Sequence, residues 1–337
     1  MNEIFSSPLP LIAVLIPVGA AMLIALTTSR HPNLRDSWST VAAILLVAVV
    51  LLMLNETRQG RLAQMTIIEL SPGIDIALRA DPAGMIFGGL ASGLWILAGV
   101  YAVGYMRGGN EHKQTRFFSA FALSISAAIG VALAENLLTF VLFYELLTLS
   151  TYPLVTHRET EEAIVAGRKY LTYTLSGGLL LIGATAWMHV LGIDATFSAG
   201  GFLHQAGLNQ ATQWGLFGML ALGVGVKAAV MPLHSWLPSA MVAPTPVSAL
   251  LHAVAVVKAG VFGIVRVMVF VFGSALLQEM GAWIVVAVMS GATIVIGSTL
   301  ALRHDNLKRR LAYSTISHLS YIVLGVALLG PIALTGA

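Results

Sequence analysis

One lysine interrupts an apolar segment that is long enough to cross a membrane. Lys227 lies within the stretch from Trp214 to Trp236, whose other residues are almost all apolar or small. About 20 apolar residues form one membrane-spanning helix, and an ammonium group at membrane depth costs a few kcal/mol or more. Such a group is kept where it is paired, hydrated or used. The fold must therefore pair, hydrate or use this charge within the bilayer.

The composition indicates a membrane protein throughout. Of 337 residues, 57% are hydrophobic and 10% are charged, whereas a soluble domain carries about 25% charged residues. The chain has no cysteine, which excludes a disulfide, a thiolate metal site and a cysteine-held iron–sulfur cluster. If electrons drive the system, they move in a partner. The net charge of +3 fits basic loops on one membrane side better than a nucleic-acid surface.

The apolar segments predict an all-α polytopic membrane protein with about ten transmembrane helices. They cover roughly 9–28, 37–54, 83–105, 117–134, 136–156, 166–191, 213–231 (continuing to 241), 247–272, 280–301 and 312–330. Capping signals mark three starts, at Ser37, at Asp81-Pro82 and at Thr245-Pro246. A β-hairpin is predicted near 64–79, in the loop after the second helix.

Basic residues alternate between the short loops. Lys and Arg follow helices 1, 3, 5 and 9, and the loops after helices 4, 6 and 8 have none. The loop after helix 2 is an exception, because it carries both arginines and carboxylates. Since cytoplasmic loops are enriched in Lys and Arg, the pattern predicts an N-terminus on the outer side.

Further titratable side chains lie in other apolar spans. Glu145 lies in the fifth predicted helix, His252 and Lys258 share the eighth, and His318 lies in the tenth. Several buried ionisable groups in separate spans suggest a proton or cation path. Each also has a purely structural interpretation: Glu145 as a carboxylate bonded to a neighbouring helix, His252 as a packing residue, and His318 as part of a polar helix interface.

Pro232 lies five residues after Lys227 and predicts a break in the seventh helix. Broken helices are tolerated in membranes where they face protein or a water-filled cavity, and transporters use them for ion sites. His234 follows the proline and could bridge Lys227 to His252. Arg266 and the basic cluster 303–310 are interpreted as interfacial anchors. No metal-ligand spacing, phosphate loop, nucleophile elbow or dinucleotide fingerprint appears, so neither a catalytic residue nor a bound cofactor is expected.

Several segments together resemble one family. They are Phe143 to Leu146, Met231 to Trp236, Leu237 to Phe262, and Asp305 to His318, with smaller matches at Asp81 to Gly84 and Gly104 to Met106. The chain resembles the antiporter-like subunits shared by respiratory complex I, membrane-bound hydrogenase-type complexes and Mrp-type cation/proton antiporters.

The resemblance implies a fold of about fourteen helices with two inverted five-helix repeats. Helices 1–3 would occupy residues 1–115, with the hairpin on the outer face. The first repeat, helices 4–8 with its broken helix 7, would occupy 116–273, and 274–337 would begin a truncated second repeat. The chain is then a shortened subunit that a partner completes, or its sequence is incomplete. By the same resemblance Glu145 pairs with Lys227, His252 and Lys258 carry the proton laterally, and His318 lies where the path continues.

The function that the resemblance implies is a proton-translocating subunit of a multisubunit complex, with Na⁺ coupling as an open variant. One alternative is a secondary Mrp-type antiporter subunit without redox chemistry, and another is a membrane scaffold that does not pump. The expected partners are hydrophobic membrane subunits, including further antiporter-like ones. Peripheral subunits with iron–sulfur clusters would join them if the complex is redox-driven, as in an NADH:quinone oxidoreductase-like or hydrogenase-like translocase. The expected location is the inner membrane of a bacterial or archaeal cell.

Overall fold

The computed structural model describes residues 3–27, 31–71, 73–250 and 255–336. Within these ranges, eight helices are long and apolar enough to cross a membrane. The prediction of a helical polytopic membrane protein is therefore confirmed. Two further predicted spans, at 213–231 and 312–330, are helical but contain more polar residues and are not among the eight.

The helices follow the predicted order along the chain. Their bounds are α1 Leu9–Thr27, α2 Pro32–Arg58, α3 Pro82–Gly108, α4 Gln114–Leu133, α5 Leu137–Val155, α6 Glu161–Val190, α7 Gln210–Lys227, α8 Trp236–Ser239, α9 Thr245–Ala249, α10 Val256–Val265, α11 Gly273–Met280, α12 Ala282–Arg303, α13 Leu307–Ala327 and α14 Pro331–Gly336. A π-helical turn, Arg266–Phe272, joins α10 to α11, and the three form one continuous span from Val256 to Met280. Short 3₁₀ turns cover Phe202–Gln205 and Ala240–Val242.

Three strands form a small sheet in the order β1-β2-β3. They are β1 Glu3–Ser6, β2 Arg61–Ser71 and β3 Ile74–Arg79. β2 and β3 pair antiparallel, with Gln64 opposite Arg79, at the position of the predicted hairpin. β1 pairs parallel with β2, Glu3 opposite Arg61. This first strand was not predicted, because four residues are too few for an alternating pattern to stand out.

Of the three predicted caps, one is present. Asp81 accepts a hydrogen bond from the Gly84 amide at 2.7 Å and caps α3. Ser37 was predicted wrongly, because α2 begins at Pro32 and the Ser37 hydroxyl bonds to the Asn33 carbonyl inside the helix. Thr245 is also not a cap, since it is the first residue of α9 and Pro244 precedes it. Because proline suits the first turn of a helix, α2 begins at Pro32 and not at the residue after Ser37.

The described chain divides into two compact units. The first contains residues 1–164 and 243–256, and the second contains residues 165–242 and 257–337. In the first unit α4 is the most buried span, with Phe117, Phe118 and Phe121 almost fully buried. Gly130 on α4 lies directly against the Phe143 ring of α5, so a larger residue there would collide with it.

In the second unit, small residues allow two helices to approach closely. A Cβ placed on Gly177 of α6 would lie 2.9 Å from the Gly223 carbonyl of α7, and the reverse substitution meets Gly177 at the same distance. Such small-residue contacts are the usual means by which membrane helices pack.

Candidate functional site

The break in the seventh predicted helix lies directly after Lys227. α7 ends at Lys227, and regular helix resumes only in the four residues of α8. The Lys227 side chain is completely buried. Ala229, two residues later, has a positive φ of 54°, a backbone conformation that is uncommon for residues other than glycine. The fold therefore places a buried cation at the end of an interrupted helix.

Local hydrogen bonds hold this interruption in place. The Val230 amide donates to the Gly225 carbonyl at 3.1 Å, and the Met231 amide donates to the Thr293 hydroxyl of α12 at 3.1 Å. Trp236 is fully buried, and its indole N–H donates to the Val226 carbonyl at 2.8 Å. Backbone groups freed by a helix break must find such partners within a membrane. The break is thus satisfied internally.

α10 lies against the same break. A Cβ on Gly260 would collide with the Ala228 amide nitrogen and with the Lys227 carbonyl carbon. Because Gly260 lacks that atom, the helix carrying Lys258 packs directly on the backbone at Lys227. Lys258 itself is half-buried, two residues from this contact.

A row of hydroxyl contacts joins α6 to α8. The Ser235 hydroxyl donates to the Tyr173 hydroxyl at 2.8 Å, and the Lys169 ammonium donates to the Ser239 hydroxyl at 3.1 Å. Ser235 and Ser239 are four residues apart, as are Lys169 and Tyr173, so each pair shares one helix face. These residues were not predicted from the sequence, although their matched spacing was visible.

His234 lies beside aromatic rings from α13 and the loop before it. Its ring centroid is 6.0 Å from that of Tyr313, and Tyr313 stacks on His304 with centroids 4.9 Å apart. Three titratable rings therefore follow one another from the basic loop 303–306 to the segment after Pro232. His234 was predicted from the sequence and its two neighbours were missed, because they lie about 70 residues away along the chain.

An apolar cavity of about 160 Å³ adjoins the break. Gly225, Met231, Pro232, Met289 and Val323 contribute to its lining. A cavity lined in this way tends to stay dry, because water needs polar partners. It does not supply the polar lining that a proton path requires, so the hydroxyl and imidazole groups are the better candidates for that role.

The remaining predicted site residues lie on other helices or outside the described residues. Glu145 is the ninth of 19 residues in α5, half-buried, and belongs to the first unit. His318 on α13 is exposed, with its ring 6.5 Å from Tyr321. His252 lies outside the described residues. The Glu145–Lys227 pairing remains a prediction.

Arg266 lies in a different environment from the one that its sequence suggested. It was interpreted as an interfacial anchor, but the structure buries it almost completely in the π-helical turn. Its guanidinium lies over the rings of Phe197, Phe262 and Phe270, at 4.8–4.9 Å from each centroid. Cation–π contacts of this kind stabilise a desolvated arginine by about 2 kcal/mol. Phe262 and Phe270 are each four residues from Arg266, and this spacing was the sequence feature that could have predicted the aromatic environment.

Comparison with protein families decides the classification. The family model described as NADH:quinone oxidoreductase/Mrp antiporter, transmembrane, matches residues 134–337. The chain belongs to this family. The matched range contains Glu145, the Lys227 break, Lys258 and His318, so the site described above lies within the part of the chain that the antiporter family model covers.

Two curated antiporter proteins are similar in sequence. The chain is 30% identical to a Na⁺/H⁺ antiporter subunit of Staphylococcus aureus over 318 residues, which are 93% of the chain and 38% of that relative. It is 33% identical to a probable K⁺/H⁺ antiporter subunit of Rhizobium meliloti, over 79% of the chain and 26% of that relative. The chain thus spans between a quarter and two fifths of these relatives.

Two solved structures share the fold of this antiporter-family chain. One is a chain of the membrane-bound sulfane sulfur reductase, an archaeal respiratory membrane complex. It matches with a TM-score of 0.82 and 21% sequence identity, and the match covers 95% of this chain and 65% of that chain. The Mrp complex from a Dietzia species matches 96% with the same TM-score at 24% identity, over 35% of its own chain. At these identities the likeness concerns the fold alone.

Proposed function

We propose that this chain is a proton-translocating, antiporter-like subunit of a multisubunit membrane complex. The observation that carries the proposal is the completely buried Lys227 at the end of an interrupted helix. A charge in that position is expensive unless it is paired, hydrated or used. Interrupted helices with a charge at the break are how transporters build ion sites.

In the proposed mechanism, charges on neighbouring groups control one another. Lys227 exchanges a proton with its surroundings, and Glu145 favours its charged form by Coulomb attraction. His234, His252 and Lys258 pass protons onward, and His318 continues the path. In a low-dielectric interior, one charge can shift a neighbouring group's proton affinity greatly. Gain or loss of a proton at Lys258 would therefore change the strength of the Glu145–Lys227 interaction.

A secondary cation/proton antiporter without redox chemistry is the second candidate. The two curated relatives are Na⁺/H⁺ and K⁺/H⁺ antiporter proteins by name, which favours this setting. The coupled ion would then be Na⁺ or K⁺, and the partners would be other membrane subunits. In the redox-driven setting, peripheral iron–sulfur subunits would join them. In either setting the chain would lie in a cell inner membrane. Its N-terminus would be outside, as the basic loops predict.

Everted membrane vesicles from cells that make the chain with its partner subunits test the proposal. A pH-sensitive dye reports proton movement when Na⁺, K⁺ or a respiratory substrate is added. Movement that follows Na⁺ or K⁺ supports the antiporter setting, and movement that follows only the respiratory substrate supports the redox-driven setting. A dye signal equal to that of vesicles lacking the chain would contradict both.

Glu145→Ala provides the residue-level test. We expect it to abolish the dye response, because it removes the carboxylate proposed to control Lys227. Glu279→Ala is a matched control, since Glu279 is an exposed carboxylate on α11 and should leave the response intact. Blot quantification of the assembled complex must show equal amounts of both variants. Wild-type transport by Glu145→Ala would remove Glu145 from the path.

A further inference from the structure

We propose that Glu111, His112 and His157 form a binding site for a transition-metal dication of the Zn²⁺ class. The site lies outside the proposed proton path, in the first unit, where the α3–α4 loop meets the end of α5. One ligand atom from each residue can be chosen so that all lie within 4.8 Å of one another. No metal-ligand spacing was visible in the sequence, because His157 is 45 positions away from His112.

The buried histidine is the main support for a ligand. His157 is completely buried, and neither ring nitrogen makes a hydrogen bond of normal geometry within the described residues; the backbone of His112 makes a weaker polar contact with the ring. A buried polar atom without a partner costs about 1–3 kcal/mol, so native structures rarely leave two on one ring. A bound metal would use one nitrogen and remove part of this cost.

The other two groups are placed to complete the coordination. The His112 ring stacks on the His157 ring with centroids 4.9 Å apart. The Glu111 carboxylate makes none of the ion pairs found within the described residues. Zinc holds nitrogen and carboxylate ligands at about 2.0–2.2 Å, so the three groups must move slightly closer. His112 is exposed and can rotate to do so.

The backbone around this cluster is held in an unusual conformation. Asn110 and Lys113, which bracket Glu111 and His112, have φ values of 48°, and Glu159, two residues after His157, has a φ of 55°. Non-glycine residues in this region carry strain, which tends to occur at functional sites. Residues of this kind flank the three side chains in both segments that carry them.

Two basic side chains near the site, Lys113 and Arg116, pair with the carboxylate of Glu159. Glu159 accepts from Lys113 at 2.6 Å and from Arg116 at 2.5 Å.

A donor set of two imidazoles and one carboxylate favours transition-metal dications over calcium and magnesium. Zinc accepts this donor set readily and keeps a further position for water. Calcium and magnesium prefer oxygen ligands throughout, so they should compete poorly. Copper and nickel bind nitrogen ligands as well, and the site would take them in the order of their general affinities.

Metal binding to the purified complex tests the proposal directly. The complex is isolated through a tag without histidines, dialysed against a series of Zn²⁺ concentrations, and analysed for bound metal. His112→Ala and Glu111→Gln change surface side chains and should leave the fold intact. His204→Ala is the matched control, because His204 is an exposed histidine elsewhere.

We expect a Zn²⁺ equivalent in the wild type that is absent or weaker in both ligand variants. The affinity should fall by more than about tenfold, since loss even of an outer partner of a ligand costs 10- to 100-fold. Replacement by Co²⁺ should give visible absorption bands that disappear in His112→Ala. Equal binding by the wild type, both ligand variants and His204→Ala would overturn the proposal, as would the absence of Zn²⁺ binding in the wild type.

Discussion

At the scale of single residues, glycine decides how closely the helices approach Lys227. Gly260 lies against the backbone of Lys227 and Ala228, where there is no space for a Cβ. Gly218, on α7, has no atom within 4 Å of the position that a Cβ would take. The two glycines therefore respond in opposite ways to the same added methyl group.

We predict that Gly260→Ala lowers the midpoint temperature of thermal unfolding in detergent. The added methyl overpacks the contact, which typically costs about 1–3 kcal/mol, and it moves α10 with Lys258 away from the break. Gly218→Ala should be neutral or stabilising by up to about 1 kcal/mol, because alanine favours helix over glycine. An unchanged midpoint in Gly260→Ala would show that the contact is looser than the structure indicates.

The titratable residues were easier to predict from sequence than their neighbours. A lysine or glutamate in an apolar run is visible without a structure, and so is Pro232 after Lys227. Tyr313, His304 and Tyr173 were not predicted as site residues. Tyrosines are common near the ends of membrane helices, and nothing in the sequence shows that folding brings these three side chains near the helix break. Arg266 was interpreted as an interfacial anchor, because the pattern did not reveal the π-helical turn or the aromatic rings that bury its side chain.

At the scale of elements, helix starts depend on local chemistry that sequence indicates only in part. Asp81 and Ser37 both looked like caps preceding apolar runs. Asp81 caps α3 as expected, whereas Pro32 starts α2 five residues before Ser37. Arg35 and Asp36 are consequently helical, buried and joined at 2.7 Å, and Arg107 reaches Asp36 at 2.5 Å. Both Pro32 and Ser37 suit a helix start, and α2 begins at Pro32.

This difference predicts opposite outcomes for two similar substitutions. Asp81→Ala should destabilise the protein by about 1 kcal/mol, because α3 loses the acceptor for the Gly84 amide. Ser37→Ala should change stability little, since Ser37 lies within α2 and alanine is a better helix former. Thermal unfolding of both variants in the same detergent provides the comparison. A larger loss in Ser37→Ala would contradict the helix start at Pro32.

At the scale of the whole molecule, the basic loops predict the orientation of the chain. The loop after α6 contains no Lys or Arg, whereas the segment after α12 carries several. The positive-inside rule then places Asp194 outside and Asp305 inside. Both residues are exposed, and the chain has no cysteine, so a single introduced thiol reports on its own position.

We expect Asp194→Cys to react with a membrane-impermeant maleimide in intact cells. Asp305→Cys should react only after the membrane is permeabilised. The cysteine-free parent protein is the background control. The reverse labelling pattern would mean that the N-terminus faces the cytoplasm.

The class of the whole molecule was the most predictable feature. Long apolar segments and sparse charge required several membrane helices, because the bilayer permits few other structures. The repeat organisation and the Glu145–Lys227 pairing rest on the family resemblance. Long-range relations of this kind leave little trace in local sequence patterns. The metal-ligand cluster was invisible for the same reason, since His157 meets His112 only in the folded chain.

The most direct test of the account is proton transport by Lys227→Ala in everted vesicles. Arg303→Ala, which removes an exposed cation from the same unit, is the control, and both variants must assemble in equal amounts. We predict that Lys227→Ala loses the ion- or substrate-driven pH change while Arg303→Ala retains it. Full transport by an assembled Lys227→Ala complex would contradict the claim that the buried lysine at the helix break carries the function.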